Sequence, residues 1–302
     1  MFNLIKKIRE GRFTGVVYSF LVHRVLPSKI YIKYKFKKTY GFPLNLKDPK
    51  TFNEKIQYKK FFDRKSIYTT CADKFAVREY VKRKIGKQYL IPLLFSTTNP
   101  EEIDLSKLPN QFVIKSNHSS GHIIIVDDKN SIDINMIIGK CKKWLKVRLF
   151  PLYKEWHYKN IEPRILVEQF LRDENGHAPK DYKFHCFAGR VEFVFVDSDR
   201  FTDHKRTLFS RDWELLPFTF CPADSNNRPM FKPNKNESKP ENFAEMIEVA
   251  ESLSKDFDYV SVDFYTLQNK IFFGELTFTP GGGFMKFFPQ EYDLIYGKKV
   301  HL

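Results

Sequence analysis

Cysteine is scarce in this chain of 302 residues: there are four, at Cys71, Cys141, Cys186 and Cys221, and none belongs to a CxxC pair. Together with eight scattered histidines they build neither a disulfide framework nor a zinc site. A reducing, cytoplasmic setting is therefore expected. Long apolar runs are missing as well. The early segment Gly15-Val-Val-Tyr-Ser-Phe-Leu-Val22 spans only eight residues and ends at His23-Arg24. That is far short of the roughly 20 residues that cross a bilayer, and no stretch reads as a secretory signal. No internal repeat or low-complexity tract is present, and no recognised nucleic-acid module accompanies the basic charge, so nucleic acid is not an expected partner.

Acidic residues are sparse in the first third. Residues 1–90 hold 23 Lys+Arg and 6 Asp+Glu, a net of +17, whereas the remaining 28 and 30 give −2. A basic block of this kind attracts an anionic partner, such as a membrane surface or a polyanionic polymer, or else forms a solvated face. Flanked by Lys6, Lys7, Arg9, Arg12 and Arg24, the segment 15–22 could lie flat on an anionic membrane or form a buried helix. Residues 1–40 are thus the expected site of any peripheral contact with the inner face of a membrane. What the chain has in plenty is hydrophobic residues, 42%, with 31 phenylalanines, enough for a large core in one to three domains.

Two runs of alternating apolar and polar residues, Tyr259–Tyr265 and Lys270–Thr277, flank Leu267-Gln268-Asn269 and predict an antiparallel strand pair. Each carries one acid in an apolar setting, Asp263 and Glu275. Two carboxylates on neighbouring strands repel unless a cation lies between them or one is protonated. Mg²⁺ is the natural cation, since it takes one or two carboxylates plus phosphate oxygens. Strand-end acids paired with Arg or Lys are the plainer alternative.

Earlier in the chain, Thr51-Phe-Asn-Glu54 predicts a capping box opening a helix that ends near Phe62. A second helix is expected from Asp73 to Ile85, stopped by Gly86. Phe112–Lys115 and His122–Val126 predict strands around the polar loop Ser116–Gly121, whose N–H groups could wrap a phosphate. Residues 132–160 read as helical and aromatic. Ile165–Leu171 reads as a strand, and Tyr182–Ala188 and Val191–Val196 as a hairpin turning at Gly189-Arg190. Residues 199–240, with five prolines, read as loops. A last helix is expected from Ser238, with Glu241 completing a capping box. Hairpins with helices between them give the α+β class.

Lys74, Lys115, Glu168, Asp263 and Glu275 thus supply, in order, two cations, a strand-edge acid and two acids suited to a metal, the parts that an ATP site requires. This order resembles the ATP-grasp fold, two α+β subdomains gripping ATP. Within that fold the whole chain resembles the TupA-like ATP-grasp family of polysaccharide and teichuronopeptide biosynthesis. The resemblance rests on Asn45–Lys55, Ala72–Val81, Val113–Gly121, Val167–Leu171, Asp181–Gly189 and Gly274–Gly283, which lie between about residues 45 and 290. It implies a basic, mainly helical N-terminal region at 1–70 and an ATP-grasp domain at 71–302. The domain would have a lid at about 105–170 and a metal-binding part at about 171–302.

Carried over by position, Lys74 and Lys115 would hold the ATP phosphates under the mobile loop containing Ser119, Ser120 and Gly121. Glu168 would accept from the adenine amino group, with the backbone of Gln169, Phe170 and Leu171 along the ring edge. Asp173 or Glu174 would take the ribose, and Asp263 and Glu275 would hold Mg²⁺. Thr277 stands where many such ligases have an Asn ligand, which puts a second metal in doubt. Lys183 and Arg206 are lesser candidates for contacting the γ-phosphate or an acyl-phosphate. The implied reaction is an ATP-dependent amide ligation in surface polysaccharide biosynthesis. It joins the uronic acid of an anionic sugar or polysaccharide precursor to an amino acid or amine.

Three other readings compete. Asp197-Ser198-Asp199 after an apolar strand resembles the metal motif of glycosyltransferases, although the chain lacks an opening nucleotide-binding βαβ unit. A non-catalytic binder of polyanions would explain the charge alone. A kinase-like enzyme would use the same phosphate site.

Overall fold

A computed structural model describes residues 27–172, 176, 179–198 and 203–302. The apolar segment 15–22 lies outside the described residues, as do Asp173, Glu174 and Asp199. Four helices open the described chain: α1 (Ser28–Tyr40), α2 (Phe52–Phe62), α3 (Ser66–Ala72) and α4 (Val77–Lys84). Strands β1 (Leu93–Thr97), β2 (Phe112–Ser116) and β3 (Ile123–Val126) follow. Next come α5 (Ile134–Leu145), α6 (Phe150–Tyr153) and β4 (Ile165–Gln169). Strands β5 (Asp181–Phe187), β6 (Arg190–Ser198), β7 (Lys205–Ser210) and β8 (Thr219–Cys221) lead to α7 (Phe243–Ser254). The chain continues through β9 (Tyr259–Leu267), β10 (Lys270–Thr277), β11 (Lys286–Phe288) and α8 (Glu291–Gly297).

The strands form a four-stranded sheet ordered β1-β4-β2-β3, a five-stranded sheet ordered β10-β9-β5-β6-β7, and a β11-β8 pair. All pairings within them are antiparallel. This agrees with the α+β expectation.

Alternation along the central strands decides what each face does. On β9, Val260, Val262 and Phe264 enter a core with Phe184 and Val194 beneath α7, whose Phe243, Met246, Ala250 and Leu253 form the matching stripe. The opposite face begins at Tyr259 in an aromatic cluster with Phe52 of α2 and Phe187, Phe193 and Phe195. Two residues on, that same face carries Ser261, and then Asp263. One strand face therefore starts in aromatic core and ends in charge. The smaller sheet packs on α5 through Phe112, Ile114, Val167, Ile137 and Cys141.

Local signals placed several boundaries well. Thr51 and Glu54 form the expected capping box, and α2 ends at Phe62. The β9–β10 turn is Gln268-Asn269, both in the left-handed region at φ 49° and 59°, as a two-residue hairpin requires.

Other boundaries are corrected. No helix opens at Asp73: α3 ends there, and residues 73–76 turn before α4 begins at Val77. The Asp73 carboxylate accepts from the Phe75 N–H (2.8 Å) and from Asn117 Nδ2 (2.8 Å), so it ties a turn to the β2–β3 loop instead of capping a long helix. The Ser238–Glu241 capping box does not form, and α7 starts at Phe243 without a side-chain cap. The β5–β6 turn is Ala188-Gly189, one residue earlier than expected. The region 199–240 contains β7 and β8, and β1 and β11 had no clear sequence signal.

Candidate active site

The two larger sheets contribute to one cleft of about 410 Å³. From the smaller sheet and its loop it takes Val113, Lys115, Ser116, Ser119, Ser120, Gly121, Glu168 and Gln169, then Phe170 and Leu171 beyond β4. From the larger sheet it takes Asp181, Lys183, Asp263, Tyr265, Gly274 and Glu275, with Lys74 reaching in from the 73–76 turn.

On the larger sheet, strand register brings the charges together. Lys183 lies directly opposite Asp263, and Asp181 opposite Tyr265. Glu275 lies opposite Asp263 only because the register shifts between Phe273 and Glu275. Regular pairing after Phe273↔Phe264 would set Gly274 against Asp263 and turn Glu275 to the other face. The extra residue makes a bulge, which restores Glu275 to the cleft face. It is a glycine for a reason: a Cβ there would stand 3.1 Å from the Asp263 carbonyl oxygen and 3.3 Å from the Tyr265 ring.

Ion pairs then knit the face. Lys183 Nζ bridges Asp263 and Asp181, the latter at 2.9 Å, and Ser261 Oγ donates to Asp263 at 2.8 Å. Burial drives the Asp263 carboxyl well above the carboxylate range; Lys183 opposes this, while the Asp181 and Glu275 charges add to it. Lys74, 3.1 Å from Glu275, holds that carboxyl below the usual range against its burial. The face therefore gathers three acids and two lysines.

Across the cleft, Lys115 Nζ sits 2.5 Å from Glu168 Oε2, and Arg78 Nη1 3.3 Å from Glu168 Oε1. Arg78 also donates to the Ile91 carbonyl at 2.8 Å. Both Glu168 oxygens are thus already engaged by cations. The Gln169 N–H donates to the Pro92 carbonyl at 3.0 Å, leaving the neighbouring backbone of Phe170 and Leu171 along the cleft wall.

The β2–β3 loop closes one end. Lys74 Nζ donates to the Ser119 carbonyl at 3.2 Å, which joins loop and turn. Ser119 Oγ hydrogen-bonds both Ser116 Oγ and His122 Nδ1, the latter at 2.6 Å, and His122 stacks on Trp144 with ring centroids 5.2 Å apart.

Thr277 and Arg206 do not line the cleft. Thr277 continues the Glu275 face two residues on, opposite Ser261. Arg206 is taken by Asp197, through Nε at 2.7 Å and Nη2 at 2.8 Å, and stacks near Phe195 and Phe231. The same pairing engages Asp197, the first acid of the Asp-Ser-Asp motif, together with His204 at 3.1 Å. Arg78, Asp181, Tyr265 and His122 escaped the sequence reading. Asp181 was within reach of it, since a residue two before Lys183 on a strand shares its face. Arg78 was not, because only the fold sets it beside Glu168.

Two antiparallel sheets enclose one cleft, with lysines from both sheets and acids on the larger, the arrangement of an ATP-grasp fold. The chain belongs to the TupA-like ATP-grasp family, whose model matches residues 54–301. That membership leaves the glycosyltransferase reading without support. A comparison with curated proteins returns no match. Among solved structures the chain is similar to the D-alanine–D-alanine ligase of Bacillus anthracis, with 15% identity over 69% of this chain and 57% of that one and a TM-score of 0.41. It is also similar to the Helicobacter pylori D-alanine–D-alanine ligase, with 13% identity over 83% and 69% and a TM-score of 0.42. A third is the ADP complex of purK, an N5-carboxyaminoimidazole ribonucleotide synthetase, with 12% identity over 70% and 46% and a TM-score of 0.41. The chain spans less than two thirds of the length of the first and third of these.

Proposed function

We propose that the protein is an ATP-dependent carboxylate–amine ligase of surface polysaccharide biosynthesis. One observation carries the reading: Asp263 and Glu275 share one face, through the Gly274 bulge, in the same cleft as Lys74, Lys115 and Lys183. Its substrates would be ATP, a uronic acid on an anionic sugar precursor, and an amino acid or amine.

Asp263 and Glu275 offer hard oxygen donors that suit Mg²⁺. Among the described residues no set of three His, Cys, Asp or Glu side chains is arranged to hold a metal alone. Two carboxylates are what an ion completed by phosphate oxygens requires. When bound, Mg²⁺ would supply positive charge that neutralises phosphate oxygens. Thr277, outside the cleft lining, makes a weak case for a second ion.

The protein's own groups then have defined tasks. Lys74 and Lys183, paired here with Glu275 and Asp263, would also reach phosphate oxygens in the cleft. Lys115 would shift from Glu168 to the phosphates while Arg78 keeps Glu168 paired. Ser119, Ser120 and Gly121 would close over the phosphates and exclude water. A substrate carboxylate oxygen would attack the γ-phosphorus as the bond to ADP breaks, giving an acyl-phosphate. The amine would then attack the acyl carbon, phosphate would leave, and the amine's proton would pass to solvent. Positioning and charge neutralisation supply most of the catalysis in such a step. Residues 1–40, described from residue 27 onward, would give a peripheral contact near a membrane-tethered acceptor at the cytoplasmic face.

The test is nucleotide consumption. ADP and phosphate release that requires both a uronic acid and an amine, and that stops with a chelator, supports the ligase. UDP release from a UDP-sugar without ATP turnover would sink it. ATP turnover with transfer of phosphate to a sugar, and no amide, would favour a kinase-like reaction.

A further inference from the structure

A second concavity lies away from the cleft. It is a groove of about 560 Å³ formed by residues 47–50, α2 and α8, lined by Lys47, Lys50, Lys55, Lys298, Tyr58 and Leu294 among others. Four lysines line it against one acidic side chain, Asp48. Lys50 pairs with Asp48 at 2.7 Å, and Lys55 Nζ donates to the Val300 carbonyl at 2.7 Å. Among the described residues, neither Lys47 nor Lys298 has an acidic partner.

The rim is apolar where a water-facing helix would normally be polar. The buried side of α8 is Asp293, Tyr296 and Gly297, yet its outer side presents Leu294 and Ile295, 45% and 44% exposed, between exposed Glu291 and Lys298. The outer side of α2 extends the same surface. Tyr58 contacts Phe62 with ring centroids 4.6 Å apart, Phe62 is 45% exposed, and Lys29 of α1 sits 4.7 Å above its ring. Lysines around a groove, with protruding leucine, isoleucine and phenylalanine, match an anionic bilayer: phosphate headgroups for the cations, and the headgroup–acyl boundary for the apolar tips.

We propose that this face docks the protein on an anionic phospholipid surface, with headgroup phosphates seated among Lys47, Lys50 and Lys298 and with Leu294 and Ile295 entering the interface. The residues named for this face all lie after residue 26 in the sequence, and the proposal does not depend on the ligase reading.

The full chain is sedimented with phosphatidylcholine vesicles and with vesicles containing about one third phosphatidylglycerol. Binding is expected only to the anionic vesicles and should weaken as salt rises. Lys47, Lys50 or Lys298 changed singly to glutamate should each weaken binding about fivefold or more. Lys47→Glu/Lys298→Glu and Leu294→Glu/Ile295→Glu should both lose most vesicle binding while keeping the wild-type melting temperature and nucleotide affinity. The proposal is overturned if these variants sediment like wild type while Lys6→Glu/Lys7→Glu/Arg9→Glu does not. It is equally overturned if the full chain ignores anionic vesicles or if a soluble polyuronate abolishes the vesicle binding.

Discussion

Glu275 stands directly across from Asp263 because Gly274 is one residue more than the strand pairing requires. Gly274→Val should push on the Asp263 backbone and the Tyr265 ring together. Turnover should fall about 100-fold, since displacements near 1 Å have that effect. Melting should show a loss of only about 1–3 kcal/mol. Full activity in this variant would mean that the shared face of the two acids is unimportant.

Lys115 and Arg78 hold opposite oxygens of Glu168 but should answer differently to mutation. Lys115→Ala should abolish turnover, and the fold should persist because Arg78 still pairs the acid. Arg78→Ala removes the bonds to Glu168 and to the Ile91 carbonyl, which should cost about 2 kcal/mol of stability and raise the KM for nucleotide. Arg78→Lys should restore only part of both, because an ammonium does not reproduce the guanidinium fork. Denaturant titration and steady-state kinetics on the three variants check this.

Asp293 makes stability depend on pH. Burial pushes its carboxyl up to about 6 from an ordinary 3.8, despite the hydrogen bonds from Asn53 at 2.9 and 3.0 Å. Between those values the folded chain binds more protons than the unfolded one. The contribution of Asp293 to stability therefore falls as pH rises from about 4 to about 6. Asp293→Asn keeps an acceptor for Asn53 and removes the charge. It should flatten that slope and raise stability at pH 7 by on the order of 2 kcal/mol, as measured by urea unfolding across the window.

The loop after β10 is pinned by the basic helices. Its residues Gly281, Gly282 and Gly283 all have positive φ, at 56°, 65° and 76°. The Gly282 carbonyl accepts from Lys60 Nζ at 2.7 Å, and the Gly283 carbonyl from Gln57 Nε2 at 2.7 Å. A Cβ at Gly283 would lie 2.4 Å from Gln57 Nε2 and 2.9 Å from Ile56 Cγ2. Gly283→Ala should therefore destabilise by about 2–3 kcal/mol. Lys60→Met removes the strongest contact to the Gly282 carbonyl while Gln57 still holds Gly283, and should lower turnover more than nucleotide affinity. Unchanged turnover would show that the Lys60 contact to this loop is not needed for the reaction.

Local pattern was enough for much of this molecule. Alternation along 259–277 predicted both strands and the turn between them, because side-chain period and left-handed turn residues are properties of neighbouring positions. The capping box at Thr51 was legible for the same reason. The class of the site was readable from residue type and order, since lysines and strand-borne acids carry the same chemistry wherever they stand. The roles of individual residues needed distance. Lys74 occupies a turn, held by the Asp73–Asn117 contact across 44 positions of sequence. Glu168 is already gripped by two cations. Arg206 and Asp197, single candidates in the sequence, satisfy each other. A pairing between strands or across a cleft depends on register and on a one-residue bulge. Only the folded chain decides which charge meets which, because a shift of one position turns every side chain to the other face.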